Sequence, residues 1–541
     1  LKLAHAFVGF GGTFEGGAST IISHGNYSTF TLSGGTYNQS SVATLFGSAG
    51  WTHTAGGTFN HNSGATSFGG SSGTFDFIGT ETFHSITATG DNNDVRTITS
   101  GDTLLVLSNA TINQGGFATG TLEVRGDLTF ASTADTSTAL IKLSGTGDQT
   151  LTVNAGTLSG GVTVDKSTGN LYLGANLTVW TGTFTLTNGT MFLRNSAATN
   201  NYNLTLSNGA FTQTNGTFNG GSSTMSVRAT FTLSGGTFNQ STGSTTYSST
   251  FTHTAGGTFT HNSGTSIFSL DAVTLDFTTN ETFGAVTMSA SHNTTKTIAT
   301  GDSMIVTGTL TLTDGRWATG TIEAQGDVTV GTGFDTVPGA PLKFTGGATQ
   351  TFTLTGAEAL LDADITVNKS GGAVNLASAL TMNANSQDLI IQEGTFDLSS
   401  FALSVTAAAT ETLIVETGGN LQLQGGETIT GDSASYPQLD SGSTVTYDGT
   451  SGPYTEKDYT YSNLTINGGA TSVFTQAANE SYGGNLTITQ GIHAQGGFTT
   501  AVVGTFSNSG TLRRKQIETF TGTMDIDSGT VEYVGNGDGV V

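Results

Sequence analysis

Apolar and polar residues alternate in short bursts along this chain, and the bursts recur at a nearly fixed interval. Phe211, Phe231 and Phe251 open the related phrases FTQTNGTFNGG, FTLSGGTFNQS and FTHTAGGTFTHNS, 20 residues apart. A second apolar column follows seven or eight residues later at Phe218, Phe238 and Phe259. Phe30 and Trp51, with Phe14, Tyr37 and Phe59, keep the same two columns nearer the amino end at a spacing of about 22. Side chains at i and i+2 share one face of a strand. Phe231, Leu233 and Phe238 are therefore expected inward, and Thr232, Ser234 and Thr237 outward. Gly pairs between the bursts read as turns.

A longer repeat contains the shorter one. Residues 251–330 align without a gap on residues 51–130 with about 36 of 80 positions identical, the signature of a repeat architecture. DQTLTV at 148 recurs as TQTFTL at 349, and VTVDKS at 162 as ITVNKS at 365. The unit is about 200 residues long: a partial unit at 1–30, full units at 31–230 and 231–430, and a divergent partial unit at 431–541.

A period of 20–22 residues is too short for a propeller blade, which takes about 40, and the helix of a leucine-rich repeat is missing. The expectation is an all-β fold, a parallel β-solenoid of about 20–22 residues per coil, continuous over residues 1–541. At about 4.8 Å per coil, roughly 26 coils would make a rod on the order of 125 Å long. The segment 405–440, with Pro437, is the expected place for an irregular coil.

Composition supports strands over disorder. Gly (79 of 541) and Thr are abundant, 32 Phe and 12 Tyr supply a core, and Pro is rare at 4. Disordered chains show the opposite bias. A net charge of −24 from 15 basic and 39 acidic residues argues against nucleic-acid partners. No apolar run is long enough for a transmembrane helix, and with no Cys there are no disulfides or thiolate sites.

YSNLTINGG at 461, GGNLTIT at 483 and GTLTLTDG at 308 resemble repetitive bacterial surface proteins with filamentous-haemagglutinin-like or autotransporter-like β-helices. The resemblance implies secretion to an extracellular or cell-surface location, a right-handed parallel β-helix, and a structural or adhesive role. It transfers no functional residue.

Candidate chemistry is sparse. His53 and His61, with their copies His253 and His261, could bind a transition metal if stacked in neighbouring coils. His53 falls in the column of Leu32, and His253 in that of Leu233 and Gln213, so a packed core role is the favoured reading. Carboxylates kept in both copies, Glu81/Glu281, Asp102/Asp302, Glu123/Glu323 and Asp127/Asp327, sit mostly at Gly turns, where Asp bonds local backbone. N-x-S/T sequons at Asn176, Asn203, Asn463 and Asn485 follow from a Thr-rich composition. The basic trio Arg513, Arg514 and Lys515 is a candidate interface.

No cofactor and no enzymatic activity are expected, because carboxylates ten coils apart cannot cooperate as a polysaccharide-cleaving pair. The leading expectation is a structural extracellular rod in a filament, sheath or stalk. Its partners would be copies of itself, head to tail or lateral, since the chain opens on LKLAHAFVGF and stops at VEYVGNGDGVV just as a recurring motif restarts. The alternative is an adhesin presenting a surface for glycans or a host receptor, which calls for insertions into the coil period; 405–440 and 448–462 qualify. Outward Thr ladders such as TFTLT at 183 raise ice binding as a further possibility.

Overall fold

The computed structural model describes residues 2–3, 7–23, 29–47, 50–70, 72–91, 93–154, 157–269, 273–289, 295–334, 339–356, 363–382, 387–405, 412–431 and 436–535. Strands make up 56% of the chain, there are no helices among the described residues, and the coils stack as a parallel β-solenoid of about 22 turns. Two compact units are present, Leu1–Thr278 and Thr279–Val541.

In the first unit the predicted columns are the strand ladders. Phe211 pairs with Phe231 and Phe231 with Phe251, while Phe218 pairs with Phe238 and Phe238 with Phe259. A third ladder runs through the strands Met225–Val227, Ser244–Tyr247 and Thr265–Phe268. Phe231, Leu233 and Phe238 are fully buried, and Thr232, Ser234 and Thr237 are only partly covered. Within a column the rings stack, Phe218 on Phe238 at 4.7 Å and Phe211 on Phe231 at 5.3 Å. Between columns they meet edge to face, Phe231 with Phe238 at 4.9 Å and with Tyr247 at 5.2 Å. Such pairs add roughly 0.5–1.5 kcal/mol each beyond burial. A narrow core closed on three sides can therefore hold a chain that is only 35% hydrophobic.

The corner between the first two columns is a stack of glycines. Gly216 and Gly236 have φ of 74° and 72°, in the left-handed region that costs other residues energy. A Cβ on Gly236 would lie 2.2 Å from the Gly216 carbonyl oxygen one coil below. Handed geometry and backbone contact together exclude any side chain there.

Coil width varies, which is why there are fewer turns than a uniform 20-residue coil would give. Leu104 pairs with Leu122 only 18 residues on, whereas Leu177, Phe184 and Phe192 pair with Leu204, Phe211 and Asn219, 27 residues on. The extra length of that coil is the loop 195–201, drawn together by an antiparallel bridge between Arg194 and Asn201.

The second unit uses the same ladders with a more aliphatic core. Leu464, Leu486 and Phe506 form one column, and Ile365, Leu389 and Leu413 another. Within the segment expected to be irregular, the strands Leu413–Val415, Gly419–Leu423 and Ile429–Gly431 keep parallel pairing. Residues 406–411 and 432–435 lie outside the described residues.

Candidate functional site

The His set is dispersed among structural partners. His53 stands in register with Leu32, and its Nδ1 lies 2.5 Å from Glu81 Oε2. Burial of Glu81 pushes its carboxyl up, and the imidazole contact draws it partly back. His61 Nδ1 accepts the Ser63 amide at 3.0 Å, and His261 does the same for Ser263. The His61 ring also stacks on His84 at 5.9 Å; partial burial, then the neighbouring imidazole, lower its pKa. His253 pairs in register with Leu233. Among the described residues no three His, Asp or Glu side chains gather as they would around a metal ion.

The retained carboxylates cap coil corners. Asp127 Oδ1 accepts the Thr150 amide at 2.7 Å, and its copy Asp327 accepts that of Thr351 at the same distance. Asp102 takes the Phe77 amide at 2.7 Å. Asn residues do the same work: the side-chain oxygens of Asn176, Asn203, Asn463 and Asn485 accept the amides of Asn203, Thr224, Asn485 and Thr505. Each of these four Asn begins the triplet NLT: Asn at the corner, Leu in the core, Thr outside. The apparent sequon is thus a strand-start motif.

The basic trio lies on the strand Thr511–Lys515. Arg513 Nε is 2.6 Å from Glu532 Oε2, and Arg514 donates to the Glu518 carbonyl and leans over the Tyr533 ring at 5.8 Å. The Lys515 backbone amide donates to the Glu518 carboxylate at 2.6 Å.

Three polar groupings escaped the sequence reading. The first is a pair of buried lysines. Lys166 Nζ donates to Gly145 O, Gly147 O and Gln149 Oε1 at 2.6–2.8 Å; Lys369 Nζ donates likewise to Ala348 O and Gln350 Oε1. Burial lowers the Lys166 ammonium to about 8, with Asp148 opposing. Alternation from Val162 and Val164 already pointed Lys166 inward.

The second is a cluster in the core of the second unit, within the 448–462 insertion and the coils beside it. His493, fully buried, has Nδ1 2.8 Å from Glu456 Oε1. Glu480 accepts from Tyr482 OH and from Gln476 Nε2, and Tyr447 OH meets Tyr461 OH at 3.1 Å. Glu456 Oε2, Glu480 Oε1 and His493 Nε2 have no hydrogen-bond partner among the described residues. Desolvation, then the Glu456 charge, raises Glu480 to about 7. For His493, desolvation works downward, but Glu456 and Glu480 outweigh it and raise the imidazole. At 5% exposure or less these groups are out of a substrate's reach, and they can store protons but not attack a bound molecule.

The third is a cleft of about 420 Å³ beside the loop 195–201, with Phe192, Arg194, Asn219, Asn239, Thr242 and Asn262 on its walls. The Arg194 guanidinium sits over the Phe192 ring at 4.6 Å and near Tyr172 at 6.0 Å, and those two rings stack at 5.4 Å. Asn239 Nδ2 donates to Asn219 Oδ1 at 2.8 Å.

Compared with models of protein families, with curated proteins and with solved structures, the chain finds no match in any of the three.

Proposed function

We propose that this chain is a structural module of an extracellular or cell-surface assembly, a segment of a filament, sheath or stalk, as its resemblance to bacterial surface β-helices implies. One observation carries the reading: its polar side chains are spent on joining one coil to the next. Asn60 bonds Asn38 at 2.7 Å, Asn215 bonds Asn188 at 2.9 Å, and the Asp and Asn corners take amides one coil away. Cohesion of this kind adds up coil by coil, since each repeat contacts only its neighbours. On this reading the partners are further copies, stacked or lateral, and the chain performs no catalysis.

Electron microscopy of native material tests the proposal. Labelled antibody against the chain should decorate fibres, sheaths or stalks at the cell surface, and the purified chain should self-associate with rising concentration in sedimentation runs. A chain that is cytoplasmic and monomeric at all concentrations overturns it.

A second reading, a surface that binds glycans, is favoured by the cleft beside Arg194.

A further inference from the structure

The geometry points to the cleft on the first unit as a binding site for an acidic oligosaccharide, with Arg194 engaging the carboxylate of a hexuronate residue. The inference deepens the glycan-binding reading and leaves the structural one untouched.

The repeat itself isolates the feature. In the second copy the strand Leu389–Asp397 stands where the first has Phe184–Phe192. Asp397 pairs with Asn375 there, as Phe192 pairs with Tyr172. Ser399 takes the place of Arg194, and the seven residues of the loop are missing. A coil closes without aromatic rings, arginine or loop, so building the solenoid does not require them.

The loop is nevertheless built. Asn195 Oδ1 accepts the amides of Thr199 and Asn200 at 2.9 and 3.2 Å, and its Nδ2 donates to Thr199 Oγ1 at 2.7 Å. Ala198 is held at a φ of 56°. Backbone strain at a non-Gly residue persists only where surrounding bonds impose it.

Arg194 supplies the charge. Its guanidinium makes no hydrogen bond or ion pair with any described residue, while the Phe192 and Tyr172 rings fix its plane. A planar fork of five donors, oriented by stacking and still unspent, matches a carboxylate bidentately. Past it, Tyr172, Phe192, Asn219, Asn239 and Thr260 follow one another in register at the parallel-strand spacing of about 4.8 Å. That rise is close to the rise per ring of an extended pyranose chain. Successive sugars would meet the aromatic rings through their C–H faces and the amides of Asn219 and Asn239 through their hydroxyls. The groove favours a chain of rings with one carboxylate at Arg194 over a compact anion, for which the amide column would be superfluous.

Isothermal titration calorimetry on the full chain tests this with hexuronate oligosaccharides, neutral oligosaccharides of equal length, and sulfated ones. Hexuronate oligomers should bind, neutral ones at least tenfold more weakly. Arg194→Gln should abolish the preference, Arg194→Lys should retain part of it, and the exposed Arg228→Gln should leave it intact, all with unchanged melting curves. Absence of hexuronate binding, or binding indifferent to Arg194→Gln, overturns the site. If other glycans bind in a way that R194Q does not alter, the general glycan-binding reading survives while this site fails. Preference for sulfated over carboxylated sugars overturns the carboxylate assignment.

Discussion

Gln149 Oε1 accepts a hydrogen bond from the buried ammonium of Lys166 at 2.6 Å, and in the second copy Gln350 does the same for Lys369. The Gln amide nitrogen in turn donates to two carbonyls of the preceding coil, Val124 and Gly126 in one copy and Ala324 and Gly326 in the other. The pair thus ties three coils together at a place where the strand register slips, between Val164 and Asp165 and again between Val367 and Asn368. Removing the cation leaves two buried carbonyls without a donor. Lys166→Met is expected to destabilise the first unit by about 2–4 kcal/mol, and Lys369→Met the second unit similarly. Lys142, part-exposed and 3.6 Å from Glu123 and from Asp165, is the control; K142M should shift stability by less than about 1 kcal/mol. Urea unfolding of the three variants decides it.

The aromatic core should show the same locality. Phe231 lies between Phe211 and Phe251 and meets Phe238 and Tyr247 edge on. Phe231→Ala is expected to cost about 3–5 kcal/mol, against less than about 1 kcal/mol for Thr232→Ala on the outer face. In a nearest-neighbour stack the loss stays near the mutated coil. Hydrogen exchange should quicken in the strands Phe211–Gln213, Phe231–Leu233 and Phe251–His253 before it does near Leu464.

What the sequence made legible was whatever obeys period two. Phe211, Phe231 and Phe251 announce a ladder because large apolar residues at matching offsets have one explanation. Lys166 obeyed the same alternation but carried a charge, and charged residues are so seldom buried that the pattern was discounted. The loop 195–201 left no signal: in a chain rich in Ser, Asn and Thr, seven inserted polar residues look like any other coil corner. Arg194 became notable only once Tyr172, 22 positions earlier, was seen beneath it. The His493 cluster joins residues from three coils, 456, 480 and 493, and no local spacing betrays such a site.

The NLT corners yield a sharper test. Asn203 both donates its amide to Asn176 and accepts that of Thr224, so its side-chain oxygen is the functional atom. Asn203→Ala should cost about 1 kcal/mol, as loss of a comparable helix cap does. Asn203→Asp should cost much less, because Asp127 and Asp388 natively accept the amides of Thr150 and Thr412 at equivalent corners. If thermal melts of the two variants coincide, the oxygen is not what holds the corner.

The buried acids of the second unit set a pH dependence opposite to ordinary acid denaturation. Glu480 is raised from 4.5 to about 7 by desolvation and by Glu456, so between those values the folded state binds more protons than the unfolded one. Stability from this group is fully present below about pH 4.5 and is lost as pH rises through 7. His493, also raised above its usual value, works in the same direction: its contribution is full below 6.5 and falls at higher pH. A shift of this size corresponds to about 3 kcal/mol. Tyr447, Tyr461 and Tyr482 are raised far above 10 by burial, so they add no slope below pH 9. The melting temperature of the second unit should therefore fall between pH 5 and 8, and Glu480→Gln, which keeps an acceptor for Tyr482 without a charge, should flatten that fall. An unchanged slope in E480Q would mean that Glu480 is not the titrating group.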